Sequence, residues 1–154
     1  MKFTIPITPK AQKRSNSRGF KKVMEDGSIR WTARNYKKPE QDIEEQALIA
    51  LLEKYRPENP MEGGVLLGVH TYLPIPKSWS NKKKNLAMAG RVPHIVKPDK
   101  DNLMKHLKDC MTRLGFWRDD CQVTNYINNT GKYYDDGRGP RWEIEIRPWG
   151  QEVA

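Results

Sequence analysis

Two short acidic stretches hold the residue types best suited to chemistry in this chain of 154 residues. Asp99 and Asp101 stand two apart, just after Lys97 and Pro98, and Asp119 and Asp120 are adjacent. Carboxylates this close repel and raise one another's pKa unless a cation lies between them. A hard divalent ion relieves the repulsion, and Mg²⁺ typically takes one or two carboxylates together with substrate phosphates. If the chain stays extended after Pro98, Asp99 and Asp101 face the same side. Lys105 follows Asp101 by four residues, or one helical turn. From spacing alone it makes an ordinary ion pair; the functional alternative is a cation facing charge on a phosphoryl group. A helix-capping role accounts for Asp101 but leaves Asp99 and the second acidic pair unexplained.

The elements that must position these groups are legible in outline. Asp101 reads as the N-cap of a helix from Asn102 to Leu114, roughly 20 Å long. Leu103, Leu107, Cys110, Met111 and Leu114 make its buried stripe, and Gly115 its stop. Doubling back after Phe116 and Trp117 is expected to bring Asp119 and Asp120 toward Asp99 and Asp101 at one end of a sheet. Upstream, Phe3, Ile5 and Ile7 alternate as a strand that Pro6 confines to an edge or a strand end. Pro39, with Glu40, Asp42, Glu44 and Glu45, starts a helix whose buried face is Ile43, Ala47, Ala50, Leu51 and Tyr55. Val65–Tyr72 is an apolar strand. Val123–Ile127 and Trp142–Ile146 alternate with polar residues and read as a hairpin with one wet face. The order β-α-β-α-β-β predicts an α+β two-layer sandwich, a small mixed sheet carrying two main helices, in a single domain of residues 1–154.

The net charge of +9 is unevenly spread. Residues 1–38 hold 11 Lys and Arg against 2 acids, and residues 73–98 hold 6 against none, whereas residues 39–72 hold 2 against 7. Basic loop segments at about 8–38 and 73–97 therefore suggest a polyanion, whose counterions lysine and arginine displace. Lys10, Lys13, Arg14, Lys77, Lys82, Lys83, Lys84, Arg91 and Lys97 are the candidate DNA contacts, gripping phosphates without reading bases. In the first segment Glu25-Asp26-Gly27-Ser28 reads as the turn of a small hairpin. In the second, two readings stand equally: a short helix through Lys82–Met88, capped by Ser80 and stopped at Gly90, or a partly disordered loop. Of five tryptophans, Trp31, Trp117, Trp142 and Trp149 read as core, while Trp79 beside the basic loop is a candidate to stack on an unpaired base. His70, His94 and His106 show no metal-ligand pattern, although His94 lies close in sequence to the acidic site. Cys110 and Cys121 read as reduced thiols in or near the core. The N-terminus lacks the pattern of a secretory signal and no run is long enough to span a bilayer, so a cytoplasmic location is expected.

The run D-x-D-N-L-x-K, a following amphipathic helix and then G-F-W-x-D-D-x-Q-V together resemble the RusA family of Holliday-junction resolvases. The residues that carry the likeness are Asp99, Asp101, Asn102, Leu103, Lys105, Gly115, Phe116, Trp117, Asp119, Asp120, Gln122 and Val123. The resemblance implies catalytic and metal-binding roles for Asp99, Asp101 and Asp120, with Asp119 the lesser match, and a catalytic role for Lys105. It further implies Mg²⁺ (or Mn²⁺), a homodimer, paired nicking of four-way junctions in recombination and repair, and a phage or prophage setting. The rivals are a D-x-D glycosyltransferase, disfavoured by the short chain and the lack of a nucleotide-binding βαβ unit, an inactive DNA-structure-binding protein of the same fold, and a nuclease acting on other branched DNA.

Overall fold

In a computed structural model, residues 1–12, 16–36 and 39–150 are described, with side chains described outside 13–18 and 33–42. They form two compact units, residues 1–12 with 48–154 and residues 13–47. The first unit is built on β4 (Val65–Leu73). On one side β4 pairs antiparallel with β7 (Arg141–Pro148), placing Leu67 opposite Ile146 and Val69 opposite Ile144. β7 in turn pairs with β1 (Lys2–Ile5), which lies at the sheet edge and ends just before Pro6. On its other side β4 takes β5 (Val123–Tyr126) along its first half and β6 (Gly131–Tyr134) along its second, both parallel.

Side chains alternate between the two faces of a strand. Phe3, Ile5, Val65, Leu67, Val69, Trp142, Ile144 and Ile146 therefore share one buried face. Against it lie Leu48 and Leu52 from α1 (Pro39–Glu53), which starts in the second unit and ends in the first, and Leu103, Met104, Leu107, Cys110 and Met111 from α3 (Lys100–Leu114). The opposite face carries Lys2, Thr4, His70, Glu143 and Glu145. This is the expected α+β arrangement of helices on a mixed sheet with one polar face.

Several local expectations change. β5 and β7 do not form a hairpin, because β4 lies between them. α3 acts as the crossover that makes β5 parallel to β4, and a parallel pair cannot be closed by a tight turn. β6 was not foreseen: Gly131-Lys132-Tyr133-Tyr134 is short and glycine-led, and reads as part of a loop. The element order is thus longer than β-α-β-α-β-β, with three strands before α1 and an added α2 (Asn81–Met88). Among the described side chains of α1, Glu45, Leu48 and Leu52 are buried, while Ile43, and Tyr55 beyond the helix end, are exposed. Residues 47–52 are apolar all round that stretch of helix, so periodicity alone selects no unique face. Tyr55 stacks on Phe3 instead, with ring centres 4.6 Å apart. Trp31 and Trp149 are exposed rather than core, and so is Cys121, whereas Cys110 is buried as expected. Of the two readings of the second basic segment the helix is the one that forms, as α2, with Lys83 N–H donating to Ser80 Oγ and the chain turning at Gly90 with φ +75°.

Arg141 locks the link between β6 and β7. Its guanidinium lies 3.9 Å from the Tyr72 ring, donates to both oxygens of Asp136 at 3.0 and 3.1 Å, and reaches Gly139 O and Glu143. Arg141 and Arg138 hold the Asp136 carboxyl far below the usual carboxylate range. A depressed carboxyl pKa contributes stability that is present above the unfolded value, about pH 4, and lost as pH falls through the folded value. Arg141→Met is expected to cost about 1–3 kcal/mol at neutral pH and to flatten the loss of stability below pH 4, both read from urea unfolding across pH.

Candidate active site

α3 begins two residues earlier than the sequence suggests. Asp99, with ψ 149°, is the N-cap, Lys100 is already helical, and Asp101 lies in the first turn. The extended Asp99–Asp101 run therefore does not form, and the two carboxylates flank the positive end of the helix. Asp99 makes no side-chain bond to the helix N–H groups; its Oδ2 accepts from Asn102 Nδ2 at 3.3 Å. Both acids, and Lys105 one turn along, are exposed. The helix ends as expected at Gly115, in the left-handed region with φ +79°.

The loop that delivers Asp99 is held from β6. Lys132 Nζ donates to the carbonyl oxygens of Val96 and Pro98, the latter at 2.9 Å. No sequence signal marked Lys132, because its partners are backbone carbonyls 34 and 36 residues away. His94, in the same loop, is buried with its ring centre 4.5 Å from that of Tyr134. Burial, and then the Lys132 charge, lower its pKa and favour the neutral ring. Lys132→Met is expected to raise amide exchange at residues 95–101 by about tenfold or more, since bonds to a charged donor contribute more than neutral ones.

The second acidic stretch opens a 3-10 turn, Asp120–Gln122. Asp119 is its cap: its Oδ1 accepts the Cys121 N–H at 2.8 Å, while Gln122 Oε1 accepts the N–H of Asp119 and of Arg118. The Cys121 N–H bond holds the Asp119 carboxyl below its usual range. Asp119 thus has a structural task, while Asp120 stands beside it, exposed. Gln122 Nε2 fastens the turn to the carbonyls of Met61 and Gly63, both at 2.9 Å. The ligand atoms of Asp119, Asp120 and Cys121 lie within 4.8 Å of one another. Asp119 and Asp120 push the Cys121 thiol pKa up, keeping it protonated and a poor metal ligand.

The two acidic stretches do not converge within one chain. Asp99 and Asp101 stand at the start of α3 and Asp120 lies beyond its end, past 15 helical residues, or about 22 Å of helix. The sheet agrees. The turn with Asp120 precedes Val123, which pairs with Val65, while Lys132, the anchor of the Asp99 loop, pairs with Thr71. Those levels are six residues, roughly 20 Å, apart along β4. Among the described residues, Asp99 and Asp101 join no group of ligand atoms within 4.8 Å that includes Asp120.

Of the candidate DNA contacts, Lys82, Lys83 and Lys84 fill the first turn of α2, with no acid among them. Three cations at the positive end of a helix are unfavourable unless an anion sits there. Lys83 Nζ lies 3.9 Å over Trp79, which is half-buried against Tyr134. Lys10, Lys77, Arg91 and Lys97 are exposed, while Lys13 and Arg14 fall outside the described residues.

The family model for endodeoxyribonuclease RusA matches residues 6–147. The chain belongs to the RusA endodeoxyribonuclease family. The match spans Asp99, Asp101, Lys105 and Asp120 and takes in both basic segments. A relative of the RusA-family chain, the uncharacterized protein YqaN of Bacillus subtilis strain 168, is 35% identical over 150 residues, covering 96% of this chain and 95% of its own. No helix among the described residues is long and apolar enough to cross a membrane.

Proposed function

We propose that this RusA-family chain is a Mg²⁺-dependent, structure-selective endodeoxyribonuclease that resolves four-way junctions by paired symmetric nicks. The observation that carries the reading is the exposed Asp99–Asp101 pair at the open start of α3, with Lys105 one turn behind it. The donors are carboxylate oxygens, the set a hard cation prefers, and Mn²⁺ is the other ion that fits. A divalent ion held there would lower the pKa of a bound water and polarise the scissile phosphodiester. Asp99, Asp101 and Asp120 are the ligands in this reading, with Asp119 left to its turn. Lys105 supplies a fixed positive charge toward the phosphoryl oxygens in the transition state. Lys10, Lys13, Arg14, Lys77, Lys82, Lys83, Lys84, Arg91 and Lys97 hold the arms through phosphates, which sets position and salt dependence.

The separation of the acidic stretches along α3 supports a homodimer in which Asp120 of the partner subunit completes the Asp99–Asp101 pair. A two-fold dimer then presents two equivalent sites, matching the approximate two-fold symmetry of a junction that needs two opposed cuts. Incubation with a labelled four-way junction, a matched linear duplex and Mg²⁺ tests the reading: symmetric nicks in the junction alone are expected. Binding without nicking would make the chain a DNA-structure-binding protein, and cutting of the plain duplex would remove the resolvase assignment.

A further inference from the structure

The second unit carries β2 (Asn16–Val23) and β3 (Ile29–Tyr36), which among the described residues form a two-stranded sheet of their own. Their register pairs Phe20 with Thr32, Lys21 with Trp31, Lys22 with Arg30 and Val23 with Ile29. Directly opposed residues share a face and neighbours alternate, so Lys21, Val23, Ile29 and Trp31 lie on one face and Phe20, Lys22, Arg30 and Thr32 on the other. The first face is openly apolar: Trp31 is 74% exposed, Val23 70% and Ile29 51%. The acids of residues 19–32, Glu25 and Asp26, are confined to the turn, where Asp26 accepts the Ser28 N–H and hydroxyl.

A two-stranded ribbon is marginal alone in water, and uncovered apolar side chains add nothing to its stability, so this face calls for a partner. The charges select its class. Lys21 shares the apolar face, Lys22 and Arg30 lie on the reverse of the same ribbon, and together they suit a polyanion. Trp31, Ile29 and Val23 suit a flat apolar surface, which the groove of an intact duplex does not offer: it presents polar base edges. The π-faces of bases are open only where stacking is broken, and an aromatic side chain flanked by cations is the usual platform for them.

We infer that the Lys21–Val23–Ile29–Trp31 face of this ribbon binds unstacked nucleobases at the branch of a DNA substrate. Trp31 stacks on a base and Lys21, on the same face, takes a flanking phosphate, while Lys22 and Arg30 on the reverse face add to the positive charge of the ribbon. This inference rests on the branched-DNA reading above and adds the part of the chain that tells a branch from a plain duplex.

The test uses the full chain, a four-way junction carrying 2-aminopurine at the branch, and a matched duplex, without divalent ion. Wild type is expected to prefer the junction and to change the 2-aminopurine signal. Trp31→Ala is expected to weaken junction binding by roughly tenfold to a hundredfold, the range of one lost base–aromatic stack, and to lose that signal. Its duplex affinity should stay within about twofold, because phosphate contacts carry duplex binding. Trp31→Phe restores both junction readouts, and the Lys21→Ala, Lys22→Ala, Arg30→Ala triple variant weakens junction and duplex alike. If wild type prefers the junction and Trp31→Ala matches it in affinity and signal, the inference is overturned while the function stands. If wild type shows no junction preference, the branched-DNA reading falls and the inference with it. A change in the assembly state of free Trp31→Ala, read by light scattering, assigns the face to a second copy and likewise overturns it.

Discussion

Asp120→Asn is expected to abolish Mg²⁺-dependent nicking of a four-way junction while leaving junction affinity unchanged or tighter. The amide keeps the shape of the side chain but removes the charge that a cation needs and that repels phosphate. A ligand lost outright should cost more than the 10- to 100-fold typical of an outer-shell partner. Asp119→Asn is the control, because its amide oxygen can still accept the Cys121 N–H and keep the turn. The same residue probes the dimer. Asp101→Asn and Asp120→Asn chains are each expected to be inactive, yet mixing them by unfolding and refolding should restore nicking. Half the dimers are then mixed, and each has one site with every carboxylate, so about a quarter of the sites return. No recovery would place all the ligands of a site in one chain. Labelled-junction gels report every arm, with binding measured in parallel.

Trp117→Ala is expected to produce the largest loss of stability. Trp117 is fully buried, its Nε1 donates to Thr112 Oγ1 at 2.8 Å, and the adjoining Phe116 carbonyl accepts the Met61 N–H at 2.9 Å. Truncating a buried tryptophan costs about 3–5 kcal/mol, a large share of the 5–15 kcal/mol that typically holds a domain together. For a chain of this length the melting temperature should fall by about 10 °C. The effect reaches the site through the backbone, since Trp117 leads directly into the turn that Gln122 fastens to Met61 and Gly63. Thermal melts followed by circular dichroism check it, and a fall of only a degree or two would mean the pocket closes over the loss.

The local signals that proved legible were those with a backbone mechanism. Gly115 and Gly90 end helices in the left-handed region, Ser80 caps α2, Gly27 turns the hairpin with φ +82°, and Val65–Leu73 forms the central strand. What failed was decided by partners distant in the chain. Whether β5 pairs with β7 or with β4 depends on how α3 crosses the sheet, which alternation along β5 cannot reveal. The α1 face was ambiguous because its apolar run surrounds the helix. At the candidate site, residue types were legible but their placement was not: local pattern says nothing of whether two ends of a helix meet in one chain or across two. Lys132 was invisible for the same reason, whereas the family resemblance already set Asp119 below Asp120 and the cap bond to Cys121 N–H adds the task that Asp119 performs.

The first and last strands have a consequence for biosynthesis. The Met1 ammonium group donates to Ile146 O at 3.0 Å, and Lys2 pairs with Glu145. β1 therefore has no template until β7 has left the ribosome, about ten seconds or more after β1 emerges at typical elongation rates. Through that interval Phe3 and Ile5 lack the β7 residues Ile144 and Trp142 opposite which they sit, and net charge favours solubility of the waiting chain.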